Sequence, residues 1–184
     1  MSFQTGPKHI HWRVGSLSAL AFLFVVLLAS PSVSSGQAGS NATNGGTLRM
    51  TGEVGHPLVL READLLALER RTVAVVDDKS VPAVYEGVPV ADLLRSAGVP
   101  LGKQLRGPRL KLYVVVEAAD GYRAVFALAE FDSEFTDRVI LLADRRDGHT
   151  LASPEGPFRI VVPGEKRHAR WVREVTALNI QQAR

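Results

Sequence analysis

The chain contains no cysteine. No disulfide can staple it, and no thiolate can serve as a nucleophile or hold a soft metal. Whatever it folds into must be held by its apolar core. The sequence has the material for one: 184 residues, 46% of them hydrophobic. A domain of about 140 residues buries enough surface to stand without covalent staples.

The N-terminus reads as an appendage to that domain. Lys8, His9, His11 and Arg13 precede an apolar run at 17–29 that is broken by a single serine. Residues 31–40 are small and polar. This order predicts a signal peptide and cleavage region over 1–38, with the cut after Ser35 or Ala38. The alternative is an uncleaved membrane anchor, for which the run falls short of the roughly 20 apolar residues a span needs. A leader with His11-Trp12-Arg13 and no Arg-Arg pair suits general secretion of an unfolded chain. The expected location is therefore periplasmic or secreted. Residues 39–46 form a Gly-rich flexible linker. Within it, Asn41-Ala42-Thr43 matches a glycosylation acceptor but reads as linker composition.

The formal net charge of +3 overstates the basicity of the mature chain. Lys8 and Arg13 belong to the leader, and every acid follows residue 50. The remaining 20 Lys and Arg against 19 Asp and Glu leave +1. A nucleic-acid partner is not expected from such a balance. The basic charge is local instead, with six Lys or Arg against two Glu over 156–184.

Turn residues and apolar runs divide the rest. Strands are expected at 47–54, 110–118, 122–128, 139–143, 158–162 and 175–180, a central strand at 72–76, and a short extended piece at 57–60. Acids ahead of Leu65, Leu66 and Leu68 predict a short helix at 62–68. Val90, Leu93, Leu94 and Ala97 share one helical face, Pro89 suits a first turn and Gly98 a stop, so 89–97 reads as a helix. Asp120-Gly121 predicts a two-residue hairpin turn, and Asp147-Gly148 marks another turn. Together these give six or seven strands and two or three short helices, an α+β mixed-sheet domain over 47–184.

Several ordered motifs then carry a resemblance. They are Gly52-Glu53-Val54 with Pro57-Leu58, and Tyr85-Glu86-Gly87-Val88-Pro89 running on to Leu93-Leu94. Next come Asp120-Gly121-Tyr122, Leu142-Ala143-Asp144 with Asp147-Gly148, GPFRIVVPG at 156–164, and Arg170-Trp171-Val172. In this order the chain resembles the sulphite oxidase-like molybdopterin-binding domains, over roughly 47–180. The resemblance implies that fold and, as the cofactor it leaves open, molybdopterin.

In that family a cysteine thiolate from the central strand region ligates molybdenum. The same region here reads Val75-Val76-Asp77-Asp78. Valine offers no donor, and Asp77 offers only a hard oxygen. The family's pterin loop usually has a Gly-containing turn and a Lys before the Trp. Here it reads Glu165-Lys166-Arg167-His168 and Arg170, and Arg does not bind with Lys geometry. Asp77, Tyr85, Arg167, His168, Arg170 and Arg173 are the cofactor- or ligand-binding candidates. No catalytic residue and no metal-ligand set is assigned, since His56, His149 and His168 lack the spacing of a helical metal site.

Physical chemistry weighs on these candidates. Arginine forks suit a small anion. An extended 167–173 would put Arg167, Ala169, Trp171 and Arg173 on one face and His168, Arg170 and Val172 on the other. Arg159, inside an apolar strand, calls for an acidic partner. Trp171 reads as core, Tyr85 and Tyr122 as turn anchors. Three readings follow. The first is an exported module of this fold without molybdenum redox chemistry, binding a small anion, a peptide or an envelope protein. The second is a molybdopterin-dependent oxidoreductase with a non-cysteine ligand near Asp77. The third is an envelope domain that assembles through its sheet edges and Arg-rich face.

Overall fold

A computed structural model of the chain describes residues 46–77 and 80–184. The leader expected over 1–38, the linker up to residue 45 and Asp78 lie outside them. Ten strands, two short α-helices and four 3-10 turns are found among the described residues. They include no helix long and apolar enough to cross a membrane.

Two five-stranded sheets build the fold. The first comprises β1 (Thr47–Gly52), β2 (Leu58–Arg61), β5 (Leu112–Ala118), β6 (Arg123–Ala127) and β10 (Val175–Gln182), in the order β2-β1-β10-β5-β6. β1 and β10 run parallel, so the two ends of the domain are tied together at the centre of one sheet. The second comprises β3 (Arg71–Val76), β4 (Pro82–Pro89), β7 (Leu141–Arg146), β8 (His149–Thr150) and β9 (Arg159–Val161). β4 lies between β3 and β7, and β8 and β9 share the far edge of β7.

Alternation along the strands explains the layering. On β1, Leu48 and Met50 are buried while Thr47 and Arg49 are exposed, as a strand with one solvated face requires. The inward residues of both sheets join helix α2 (Val90–Ser96) in one apolar cluster that includes Leu48, Phe126, Leu178, Tyr85, Ile160 and Leu93. This α2 is the helix read from the spacing of its apolar face. Gly98, at φ +75°, ends it: its N–H donates to Arg95 and that of Val99 to Leu94, the paired bonds of a glycine-terminated helix. The first helix, α1, is shorter than expected, at Glu62–Leu66.

Three local expectations need correction. The strand at 72–76 is not central: β3 pairs only with β4 and most of its residues are exposed. Its run of β-branched residues mimics a fully buried strand. The Asp120-Gly121 turn is a three-residue loop, in which only Gly121 takes a positive φ and Ala118 N–H donates to the Tyr122 carbonyl. The two-residue turn with both central residues at positive φ belongs instead to Asp147-Gly148, between β7 and β8. Finally, β4 carried no strand signal, because Pro82, Gly87 and Pro89 punctuate it.

Gly87 shows why that punctuation is compatible with a strand. The β4–β7 register shifts between Glu86 and Gly87, and β7 comes close at that point. A Cβ on Gly87 would lie 2.1 Å from the Leu142 carbonyl oxygen and 2.5 Å from Ala143 Cα. Both obstacles are backbone, so they cannot swing aside. Gly87→Ala is therefore expected to destabilise the domain by about 1–3 kcal/mol, read as a lowered midpoint in urea with an unchanged slope. A variant as stable as the parent would show that the two strands are further apart than described.

Candidate functional site

The site forms around Tyr85, which β4 carries into the core with no exposed surface. Its hydroxyl accepts a hydrogen bond from Arg159 Nη1 at 3.3 Å. Arg159, on β9, is 2% exposed, which a guanidinium tolerates only with partners. It has them: Nη1 lies 2.9 Å from Glu155 Oε2, and its Cζ is 5.6 Å from the ring centres of both Tyr85 and Trp171. Arg146, at the end of β7, flanks the Tyr85 ring at 5.7 Å. Its Nη2 is 2.6 Å from Asp77 Oδ2, and its Nη1 is 4.0 Å from Glu155. Two cations and two carboxylates thus surround one phenol, and Arg146 also pairs with the exposed Asp147 at 3.3 Å. Asp77 also accepts the Val81 N–H at 2.9 Å, which closes the turn between β3 and β4.

Trp171 completes the cluster. It meets Tyr85 edge-on at 5.9 Å, and its indole N–H donates to the Val162 carbonyl at 3.1 Å. His168 stacks on it at 4.0 Å. The segment before it is not extended: His168–Arg170 forms a 3-10 turn. Tyr122 pins that turn through a 2.7 Å bond to the Ala169 carbonyl. The turn sends Arg170 away from the other basic residues. Its guanidinium is bound by Glu165, by Glu130 at 3.0 Å and by the Val125 carbonyl at 3.4 Å, and lies 4.5 Å over the Phe126 ring. Arg167 and Arg173 are exposed and make no ion pair among the described residues.

Two clefts lie on either side of the His168–Trp171 stack. One, of about 510 Å³, runs between Ala74, Val75 and Val76 of β3 and Gly164 and Glu165 of the loop. The other, of about 410 Å³, is lined by Arg159, His168, Arg173, Asp120, Tyr122 and Glu174 among others. Arg159 Nε is buried with no hydrogen-bond partner. Of the six candidates, Tyr85, His168 and Asp77 gather around the Arg146–Arg159 cluster, Arg173 reaches the second cleft, and Arg170 is diverted to the acids. Sequence reading missed Arg146, Glu155 and Glu165 as members of the site. The one available signal was Arg159 itself, an apolar-strand cation that had to find an acid.

The residues at the implied metal position do not fit a molybdenum–pterin group. The end of β3 presents Val75 and Val76 to the first cleft and no sulphur donor. Asp77 is turned toward Arg146. Among the described residues no group of three or more His, Asp or Glu could hold a metal ion. Glu165 adds a carboxylate to the cleft wall, where a phosphate-bearing pterin would meet repulsion.

Burial raises the Tyr85 pKa above its ordinary value of 10, against the pull of Arg159 and Arg146. The sign follows from linkage. The unfolded chain releases this proton first as pH rises, so stability is full below about pH 10 and declines above it. Tyr85→Phe should flatten this alkaline decline when unfolding midpoints are compared between pH 9 and about pH 11. An identical decline in parent and variant would contradict the assignment.

Comparison with known proteins agrees with this architecture. The family model described as "Oxidoreductase molybdopterin binding domain" matches residues 40–184. Among solved structures the chain is similar to the sulfane dehydrogenase SoxCD from Paracoccus pantotrophus, with a TM-score of 0.61 and 24% identity. That match covers 75% of this chain and 38% of the other, so the chain spans well under half the length of that relative. No curated protein matches. Fold, motif order and family match converge: the chain belongs to the oxidoreductase molybdopterin-binding domain family.

Proposed function

We propose that the chain is an exported binding module built on this oxidoreductase fold, without molybdenum redox chemistry. The observation that carries the reading is the end of β3, where Val75 and Val76 line the cleft in place of a soft donor. An oxygen ligand from Asp77 would have to give up the 2.6 Å pair with Arg146, which weighs against a molybdenum enzyme with a non-cysteine ligand. The second cleft is the place for a small anion. Arg173 is uncommitted among the described residues and lines this cleft together with Arg159, so guanidinium groups border it. Asp120 and Glu174 on the same wall limit the net charge that such a ligand brings.

The reading is tested on protein purified from its own host. Molybdenum is measured by elemental analysis and pterin by fluorescence after oxidative release. Both are expected at far below one equivalent per chain; one equivalent of each would overturn the reading. A thermal-shift panel of sulphate, phosphate and small carboxylates checks the ligand class. At least one is expected to raise the melting point by linkage, and Arg173→Ala to abolish the rise.

A further inference from the structure

The first cleft has a feature that an anion site does not explain. β3 pairs with β4 alone, so one side of its backbone is unmatched by any strand among the described residues. Exposed edges are normally guarded by charges, prolines or bulges. Only Arg71, at the first position of β3, is charged; residues 72–76 have none of these, the stretch being Thr-Val-Ala-Val-Val in unbroken register with β4. Val73 and Val75 pack on the core but remain half-covered, and Val76 is 57% exposed. An added strand, about 4.8 Å away, would pair the free backbone groups and cover those side chains.

The facing wall says what such a strand should carry. Glu165 Oε1 accepts from Arg170 Nε at 2.8 Å, but Glu165 Oε2 is buried and has no partner. Arg170 is shared between Glu165 and Glu130, so two carboxylates meet one guanidinium and one negative charge remains over. A buried acceptor without a donor is costly, and a cationic donor satisfies it best. Lys166 and Arg167 are exposed on the same loop and would repel a run of positive charge. The complementary occupant has one cation among neutral or acidic neighbours.

We propose that the outer edge of β3 takes an extended peptide segment as an added strand, and that one Lys or Arg of this segment reaches the orphan carboxylate oxygen of Glu165. The proposal rests on the reading that no metal cofactor fills this cleft. It concerns a different cleft from the anion site, although His168 and Trp171 line both.

The test uses protein purified from its own host and labelled peptides of about nine residues, alternating threonine and valine with one central lysine. Binding is followed by fluorescence anisotropy. The lysine peptide is expected to bind, and exchanging its lysine for glutamate to weaken binding by about tenfold or more. N-methylation of alternate peptide amides should abolish it. Glu165→Gln should narrow the preference for lysine, while Val76→Lys, at an exposed position, should block binding with no change in melting point. Hydrogen exchange should show β3 amides protected only when peptide is present. Binding indifferent to N-methylation, or to the lysine–glutamate exchange, would overturn the proposal. So would a dimer in sedimentation whose β3 amides are already protected, since a second copy would then cover the edge. Molybdenum-free protein that binds no peptide sinks this proposal alone. Protein carrying one molybdenum per chain sinks the functional reading along with it.

Discussion

A guanidinium buried in a strand sets the terms for this end of the molecule. Removing a charge from water costs several kcal/mol unless its partners come with it. Arg159 sits on β9 between buried neighbours and is 2% exposed, so the surrounding chain must supply those partners. Glu155 neutralises it, the Tyr85 hydroxyl accepts from it, and Tyr85 and Trp171 give it two aromatic faces. Arg146 and Asp77 repeat the arrangement on the other side of Tyr85. The loop after β9 must fold back for Trp171 to reach this cluster, and the bond from its indole to Val162 holds it there. Both clefts are consequences of that folded-back loop.

The same packing decides which chemistry the clefts can support. The acids that could have offered oxygen to a metal are already bound to guanidinium groups. Asp77 belongs to Arg146, and Glu155 is shared between Arg159 and Arg146. Glu130 and Glu165 hold Arg170 on the far side of the loop. What stays uncommitted among the described residues is the exposed Arg173 and the outer edge of β3, with a buried N–H on Arg159 and a buried oxygen on Glu165 left without partners.

Much of the fold was legible because local chemistry and global packing agree. The apolar face of α2 and its glycine stop were readable, as were the long strand β5 and the turn at Asp147-Gly148. β4 was not, since two prolines and Gly87 suggest a loop. Only the close approach of β7 shows that Gly87 is what lets the strand pass. β3 read as central because β-branched residues signal burial, yet here they mark an unguarded edge. Of the candidate site, Tyr85 and Arg170 lie in the motifs and His168 and Arg173 in the basic segment, but no local pattern shows where Arg170 points. Its destination depends on a 3-10 turn and on Glu130, 40 residues away in sequence. Glu155 lies only four residues before Arg159, whereas Arg146 comes near it through the β7–β9 pairing, which no local pattern encodes.

The central claim is that the cleft beside β3 does not hold a molybdenum–pterin group. The most direct test offers that group to the purified protein. Molybdenum cofactor, released anaerobically from an unrelated molybdoenzyme, is titrated in a calorimeter under conditions that preserve it. This account predicts no saturable heat and no retained molybdenum after gel filtration. Saturable uptake of one equivalent, retained through the column, would contradict it.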